Sequence, residues 1–515
     1  MKILKLNLKI LSASLRLCGC ILSLSICSSA AFAEDWTMFG GTPMRNMVNN
    51  QKNPPTQWEV DKGTNIKWVA DLGSKSYAGP VIAEGVVYLG TNNEGQKDPK
   101  EVGDRGILMA LKESDGSFLW QRAHQKLPTG RVNDWPGEGL CSTPLVENGK
   151  LYYGSNRCEM ICLDVSAGVG PQPKEVWNVD MMKTLAVFPH NMTACSPVTN
   201  GDFVYMITAN GVDDTHRHVV SPNAPSIVCF NKNTGKVEWS DNSPGDRVMH
   251  ASWGSPSIIE VNGKTLVLAP LGDGWVRAYD AKTGSIIWKC DLNRKDWVYP
   301  NGKKQDALAC PVVVDNRLYI ATGQDPEHGE GPGHILCIDV TKTGDISAEL
   351  ENPNAPKPKA GDELLAPAAA KGGSKGMANP NSGIIWEFEE QDFDGDGRIT
   401  EKERMHRSTS TVAVYNGLVF AADFNGFLWC FDAKTGKVLW NHDGESQIWG
   451  SPMCIDGKIY LGNQDGRLRI FEAGPKLKLI ADHDMGNSIY STPVFANGTL
   501  YVMTMDKLYA IGPKQ

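Results

Sequence analysis

The chain has little charge, and what it has leans to one sign: 21% of its 515 residues are charged, and 51 Lys and Arg face 59 Asp and Glu. The formal net charge is −8 and there is no basic stripe. That balance argues against nucleic acid as a partner, because neutralisation of phosphate by Lys and Arg supplies most of that affinity. Apolar runs are short. The stretch at residues 17–27 spans eleven residues, too few to cross a hydrocarbon core of ~30 Å, so no transmembrane segment is expected. No Cys-x-x-Cys-His occurs, which excludes covalently attached c-type haem. Gly and Pro number 53 and 30, a turn-rich composition well below that of collagen-like or low-complexity chains. With 41% apolar residues, disorder is excluded as the main state.

What is present begins with an address. Residues 1–16 carry Lys2, Lys5, Lys9 and Arg16, the apolar stretch LCGCILSLSIC follows, and Ala31 and Ala33 stand at A-x-A spacing. This reads as a secretory signal peptide over residues 1–33, cleaved before Glu34, and places the mature chain in the periplasm or outside the cell. Leu17-Cys18-Gly19-Cys20 has the look of a lipoprotein box, but Arg16 stands where the apolar stretch should precede it. Loss of the four cations lowers the net charge from −8 to −12.

Two patterns then recur in fixed order. The first is an apolar hairpin around an Asn-Gly or Asp-Gly type of turn, found in eight copies from AGPVIAEGVVYLG to STPVFANGTLYVM. Such dipeptides flanked by alternating apolar residues are the strongest short-range hairpin signal. The second is a strand, a turn and a strand ending in Trp, as in AYDAKTGSIIW, with closing residues Trp120, Trp177, Trp239, Trp288, Trp386 and Trp440 and with Ile480 in the seventh place. The last hairpin has no closing strand after it, whereas Ile66-Lys67-Trp68-Val69 precedes the first. The expected fold is all-β: an eight-bladed β-propeller of four-stranded antiparallel blades over residues 34–515, its ring closed by the N-terminal strand.

Of the 13 cysteines, three leave with the signal. Cys162, Cys229, Cys337 and Cys430 occupy the repeat position held by Ala110, Ala278 and Ala510 in other copies. They read as compact buried hydrophobes on strands too far apart to bridge, which leaves room for at most one or two disulfides.

The A-x-D-x-x-T-G-x-x-x-W unit, whole at residues 278–288, resembles the tryptophan-docking repeat of the PQQ (pyrroloquinoline quinone) propeller superfamily. Asp35-Trp36-Thr37-Met38-Phe39-Gly40-Gly41, followed by Arg45, is similar to the start of such quinoproteins. The resemblance covers nearly the whole mature chain. It extends to secreted propellers similar to the outer-membrane assembly lipoprotein of this fold and to quinoprotein dehydrogenases. It implies two readings. One is a binding or assembly scaffold of the cell envelope, expected as a monomer, that takes an envelope protein, glycan or small molecule. The other is a periplasmic dehydrogenase in which PQQ and calcium oxidise an alcohol or sugar. Methanol-dehydrogenase-type members carry a Cys-Cys pair over the cofactor; this chain has no Cys-Cys dipeptide.

If the four strands of a blade are named A to D from the axis outward, the A-to-B turns are short. The long segments at 91–106, 121–139, 208–225, 289–308 and 323–333 fall in B-to-C or D-to-A connections, which open on one face. Long loops on a rigid scaffold are where binding residues sit. Residues 352–382, rich in Pro, Ala, Gly and Lys, are expected to be a disordered excursion on the opposite face.

Residues 392–403 match D-x-D-x-D-G-x5-E and resemble an EF-hand loop, without the flanking helices. Asp392, Asp394 and Asp396 would offer carboxylate oxygens, Arg398 its carbonyl, Thr400 a direct or water-mediated oxygen and Glu403 a bidentate closure, so the expected cofactor is calcium. The residues ahead of the innermost strands should ring the channel mouth: His190, Asn191, His250, Trp253, His406, Arg407, Gln447, Trp449, Asn487 and Tyr490. The expectation is that His190, His250 and His406 share a cavity walled by Trp253 or Trp449. A second cluster, Asp325, Glu327, His328, Glu330 and His334, is a further candidate for a transition metal.

Overall fold

The computed structural model describes residues 34–295, 304–324, 327, 331–353 and 376–513. The signal peptide expected at 1–33 lies outside these residues. Among them no helix is long and apolar enough to cross a membrane. Eight blades of four antiparallel strands form the ring. Their inner strands are Val81–Ala83, Leu145–Glu147, Val198–Asn200, Ser257–Val261, Val312–Val314, Ala413–Tyr415, Met453–Ile455 and Val494–Ala496. The N-terminal strand Ile66–Asp71 closes the eighth blade by pairing with Lys507–Ile511, Trp68 opposite Ala510. In seven blades the A-to-B turn has two successive residues at positive φ, as at Asn497 and Gly498 (51° and 71°), the geometry that matches the twist of the strands it joins.

The repeat residues pack by one rule. On the C strand a small side chain stands between a ring on strand B and the Trp on strand D: Cys229 faces Tyr205 and Trp239, Cys337 faces Tyr319 and Trp386, and Cys430 faces Phe420 and Trp440. A larger residue there would displace both rings, so Cys or Ala fills this position in seven of the eight blades; the seventh blade has Ile470, opposite Ala481 in place of a Trp, and the residue at this position is buried in every blade. The ten cysteines after residue 33 are buried free thiols, and burial pushes those of Cys162, Cys229, Cys337 and Cys430 up to about 12.

Trp177, Trp239, Trp386 and Trp440 also reach the next blade. Trp239 Nε1 donates to Ala281 O (3.0 Å) and Trp386 Nε1 to Ala433 O (3.1 Å), carbonyls that Tyr205 and Tyr319 hydroxyls share at 2.9 and 3.1 Å. The indole lies over the turn glycine; a Cβ on Gly436 would sit 2.5 Å from the ring of Trp386. Trp68 makes the same contact across the closure, its Nε1 donating to Glu113 O at 2.8 Å beside Gly116.

Two places depart from the repeat. In the seventh blade Ala481, and not Ile480, stands opposite Ile470 in the Trp position, because the preceding turn is one residue longer. In the fourth blade the Trp288 indole N–H is buried without a hydrogen-bond partner. Its docking turn is replaced by the insertion of the fifth blade, whose Gly344–Asp345 instead runs parallel to Trp288 and Lys289. The described ends of the segment expected to be disordered are held: Glu349–Leu350 pairs with Met377–Ala378, and Asn379 Nδ2 donates to Asp345 O and Ser347 O at 3.0 and 2.9 Å. Residues 354–375 lie outside the described part.

The axis is plugged. Residues 36–49 cross it and bond seven blades in turn: Trp36 pairs with Ile82, Thr37 O accepts from Val146 N, Pro43 O from Ile258 N and Met47 O from Cys454 N. Asn46 brackets Val414 with both amide atoms and Asn49 Nδ2 donates to Phe495 O at 2.6 Å. Arg45, fully buried, donates to the carbonyls of Phe39, Ser196, Pro197 and Pro256. The void beside the plug is about 10 Å³, room for about one water. The segment comes in past the turns of blades eight and one, where Asp35 bonds Asn497 and Glu84, and leaves past that of blade seven at Asp456. It therefore seals the A-to-B end of the channel.

Burial pushes the Arg45 guanidinium down from its usual value, yet Arg keeps its proton in proteins. Its charge is offset by the converging carbonyl dipoles. Arg45→Met leaves them unsatisfied and should cost about 3 kcal/mol, read as a lowered urea midpoint at an unchanged slope.

Candidate functional site

The unsealed end carries the long loops, and three of them knit together before any side chain is considered. His190 N donates to Ala209 O (3.1 Å), Gly211 N to Phe188 O (2.9 Å) and Val212 N to His250 O (3.0 Å). The approach requires a glycine at 211, where a Cβ would lie 2.4 Å from His250 O and 2.6 Å from His190 Cβ. Two D-to-A connections, around His190 and His250, are thus clamped to the B-to-C loop 208–225. Both Asn191 and His216 adopt left-handed backbone (φ 61° and 58°), a conformation that Asn and His take more readily than most residues.

This backbone brings His190, His216, His250 and Glu327 together, one nitrogen or oxygen from each lying within 4.8 Å of the others. Glu327 Oε2 is 3.0 Å from His250 Nε2, 3.7 Å from His216 Nε2 and 3.9 Å from His190 Nε2. The same oxygen accepts from Asn191 Nδ2 at 2.7 Å, and Arg131 Nη2 takes Oε1 at 2.9 Å while its guanidinium lies 4.1 Å over the Trp135 ring. Burial opposes the charge on Glu327, but the groups within hydrogen-bond reach, His250, Asn191 and Arg131, outweigh it and hold the carboxyl well below the usual carboxylate range. His190 and His250 are buried; His216 and Glu327 are partly exposed. Trp253 packs edge-on against His250 (centroids 5.0 Å) and donates through Nε1 to His190 O at 3.3 Å. An open cleft of about 610 Å³ adjoins, lined by Thr129, Arg131, Asn191, Asp214, Thr215 and His216 among others.

His190, Asn191, His250 and Trp253 therefore converge as one group, and the group takes Glu327 from the second cluster. His406 is not part of it. Its Nδ1 meets the buried Asp423 at 3.1 Å, its Nε2 meets Glu401 at 2.7 Å, and its ring stacks on Phe427. His334 is separate as well: its Nδ1 faces Gln305 at 2.9 Å, and burial pushes it down to about 3. Asp325, His328 and Glu330 lie outside the described residues. His216 and Arg131 carry no spacing signal; their mark in the sequence is membership of two of the long segments.

On the far side of the mouth, Trp449 stacks on Tyr490 (5.1 Å), with Phe424 and Tyr77 against it at 4.7 and 6.0 Å. Arg407 is buried with its guanidinium 4.4 Å over Phe424. Gln447 contributes its backbone oxygen to Gln464 N (2.8 Å), and the exposed Asn487 accepts from Ser488 N through its own Oδ1 (2.8 Å). These residues do not fit a quinone, because the stacking place on Trp449 is taken by Tyr490 and the Arg407 cation lies against an internal ring.

The acidic loop joins blade five to blade six. Oxygens of Asp392, Asp394 and Glu403 gather within 4.8 Å. Asp392 accepts from Gly395 N and Gly397 N, Asp394 from Asp396 N, and Asp396 from Arg398 N, so the carboxylates shape the loop through its own amides. Thr400 turns its hydroxyl to Glu403 (2.8 Å). Backbone N–H groups of Thr400 and Phe393 hold the Glu403 carboxyl at about 2. Asp396, Arg398 and Thr400 flank the gathered trio, and the set suits a hard cation with oxygen ligands.

The PQQ_2 family model, described as outer membrane protein assembly factor BamB, matches residues 44–212, 196–392 and 389–474. The assembly factor BamB of Salmonella typhimurium is 25% identical over 376 residues, 71% of this chain and 84% of that protein. The dehydrogenase subunit of a quinone-type alcohol dehydrogenase from Gluconobacter oxydans is 24% identical over 64% of this chain but only 41% of its own length. Among solved structures, BamB from Moraxella catarrhalis (TM-score 0.50, 17% identity, 87% of this chain and 97% of that one) and a europium-containing methanol dehydrogenase (0.53, 14%, 91% and 89%) share the fold.

Burial disfavours the charge on His406, but Asp423 and Glu401 outweigh it and raise its pKa. The sign follows: stability from the imidazolium is full below the unfolded value of about 6.5 and is lost as pH rises through the higher folded value. The stability advantage of wild type over His406→Gln, from urea midpoints, should be greatest at about pH 6 and shrink toward about pH 9.

Proposed function

Because the chain belongs to the PQQ-repeat propeller family described as outer membrane protein assembly factor BamB, we propose that it is an exported propeller acting as a binding and assembly scaffold in the cell envelope. Its binding face is formed by the long B-to-C and D-to-A loops, and its partner is an envelope protein. The observation that carries this reading is the asymmetry of the two ends. One is sealed by residues 36–49 and edged by tight turns, while the other holds the clamped loops and the cleft of about 610 Å³. The signal sequence read at residues 1–33 supports export, and the relatives named as assembly factors support an envelope role. A rigid ring presenting ordered loops loses little conformational entropy on binding.

A photo-crosslinking amino acid placed in cells at Thr129 or Asp214, on the loop face, should give adducts with envelope proteins; at Asn262 or Asn416, on the turn face, it should not. Adducts confined to the turn face overturn the reading. So does oxidation of alcohols or sugars by the purified protein supplied with PQQ, calcium and an artificial acceptor.

Within the same proposal, the loop at 392–403 binds a structural calcium ion through Asp392, Asp394 and Glu403, with Asp396, Arg398 and Thr400 completing the shell. A cation bound by the folded state alone stabilises it by mass action. With an affinity near 10⁻⁴ M, as in extracellular modules, about 1 mM calcium should raise the melting temperature of a chain this long by roughly 1–2 °C over chelator. Glu403→Gln should abolish the shift.

A further inference from the structure

We propose that His190, His216, His250 and Glu327 form a binding site for a divalent first-row transition metal, zinc foremost, at the edge of the loop-face cleft. Three imidazoles and one carboxylate are the donors such ions prefer, whereas calcium and magnesium take oxygen. The spacing fits. Bonds of 2.0–2.1 Å in a tetrahedral shell put neighbouring donor atoms roughly 3.3 Å apart, and Glu327 Oε2 lies 3.0, 3.7 and 3.9 Å from the three Nε2 atoms. Closing the shell takes shifts of about half an ångström between Glu327 and the His216 and His190 nitrogens, and a mutual approach of imidazole nitrogens that lie within 4.8 Å of one another.

The surroundings are those of a ligand set held for a metal. His190 Nδ1 faces Val212 O at 2.8 Å, so the proton of the neutral ring sits on that nitrogen. Its Nε2 is then a bare lone pair, buried, without a hydrogen bond and aimed at the carboxylate. Two acceptors facing one another repel, and a cation between them removes the conflict. Asn191 and Arg131 orient Glu327, and Trp253 supports His250 and the His190 backbone. Outer partners of this kind fix the tautomer and direction of metal ligands. One positive charge remains after a divalent ion meets a single carboxylate, and the cleft beside His216 lets water or an oxyanion reach it.

The assignment stands apart from the binding-face reading, since metal uptake and partner adducts are measured separately. Full-length protein is stripped with chelator, given calcium in excess to fill oxygen sites, and titrated with Co²⁺ and then Zn²⁺. The expected result is one equivalent of Co²⁺ with the visible bands of a nitrogen-ligated ion, displaced by Zn²⁺. His216→Ala and Glu327→Gln should each weaken uptake by about 100-fold or more, and Asn191→Ala by about 10-fold, in line with the loss seen for outer-shell partners. Glu403→Gln should leave it unchanged. Circular dichroism and a cooperative thermal transition report that the variants are folded. Absence of stoichiometric uptake at micromolar metal, or uptake that persists in a His190→Ala/His216→Ala double variant, overturns the assignment.

Discussion

Ring closure is the constraint on which the other features rest. Eight sheets arranged about an axis leave a seam where the chain ends meet and an empty centre, and residues 36–71 close both. Ile66–Asp71 completes the last blade, and Trp68 docks on Gly116 as Trp177, Trp239 and Trp386 dock on Gly235, Gly284 and Gly436, so the seam is an ordinary inter-blade contact. Sheet edges that would otherwise template association are thereby paired. The preceding residues supply backbone and amide bonds to six inner strands, and Arg45 gathers the carbonyls of the third and fourth blades at one point. A segment held so widely cannot detach from one blade without losing its purchase on the others.

With the axis sealed from one end, the other becomes a blind opening, and variation is concentrated there. The tight A-to-B turns leave no room for insertions, whereas the D-to-A and B-to-C connections grow outward without disturbing the strands. The histidine and glutamate group is assembled wholly from such growth: His190 and His250 end adjacent D-to-A loops, His216 comes from a B-to-C loop, and Glu327 arrives from the fifth blade. The tolerance of the scaffold is also visible where it is strained. The insertion of blade five costs Trp288 its indole hydrogen bond, and the edge strand at Gly344–Asp345 covers the gap it leaves.

The sequence was most informative where the signal was local and repeated. Hairpin turns and closing Trp residues specify eight blades, and the surplus hairpin at the C-terminus points to Trp68 as its missing strand. The one slip, Ile480 for Ala481, arose in a turn lengthened by a single residue, where counting positions from the Trp pattern fails. The mouth was legible only in part. Its position follows from topology, so His190, Asn191, His250 and Trp253 were within reach. Which of the ring residues meet depends on how far each loop folds over the axis, and spacing does not encode that. His406 turned to Asp423 in its own blade, while His216 and Glu327 were carried in by loops of no regular pattern. Trp449 and Tyr490 have the composition of a ligand floor, but they stack on each other instead.

The two cation-competent groups differ in a way that sets their dependence on the fold. Asp392, Asp394 and Glu403 fall within twelve residues and are arranged by amides of the same loop, so bringing them together closes a short chain segment at small entropic cost. His190 and Glu327 are separated by 137 residues and meet because the blades between them are packed. Opening any of these blades disperses that group while the acidic loop keeps its carboxylates close. The mouth therefore reports on the integrity of the ring, and the acidic loop reports on its own turn. The contact between Glu401, two residues before Glu403, and His406, whose other nitrogen rests on Asp423, is where the local group is tied into the sixth blade.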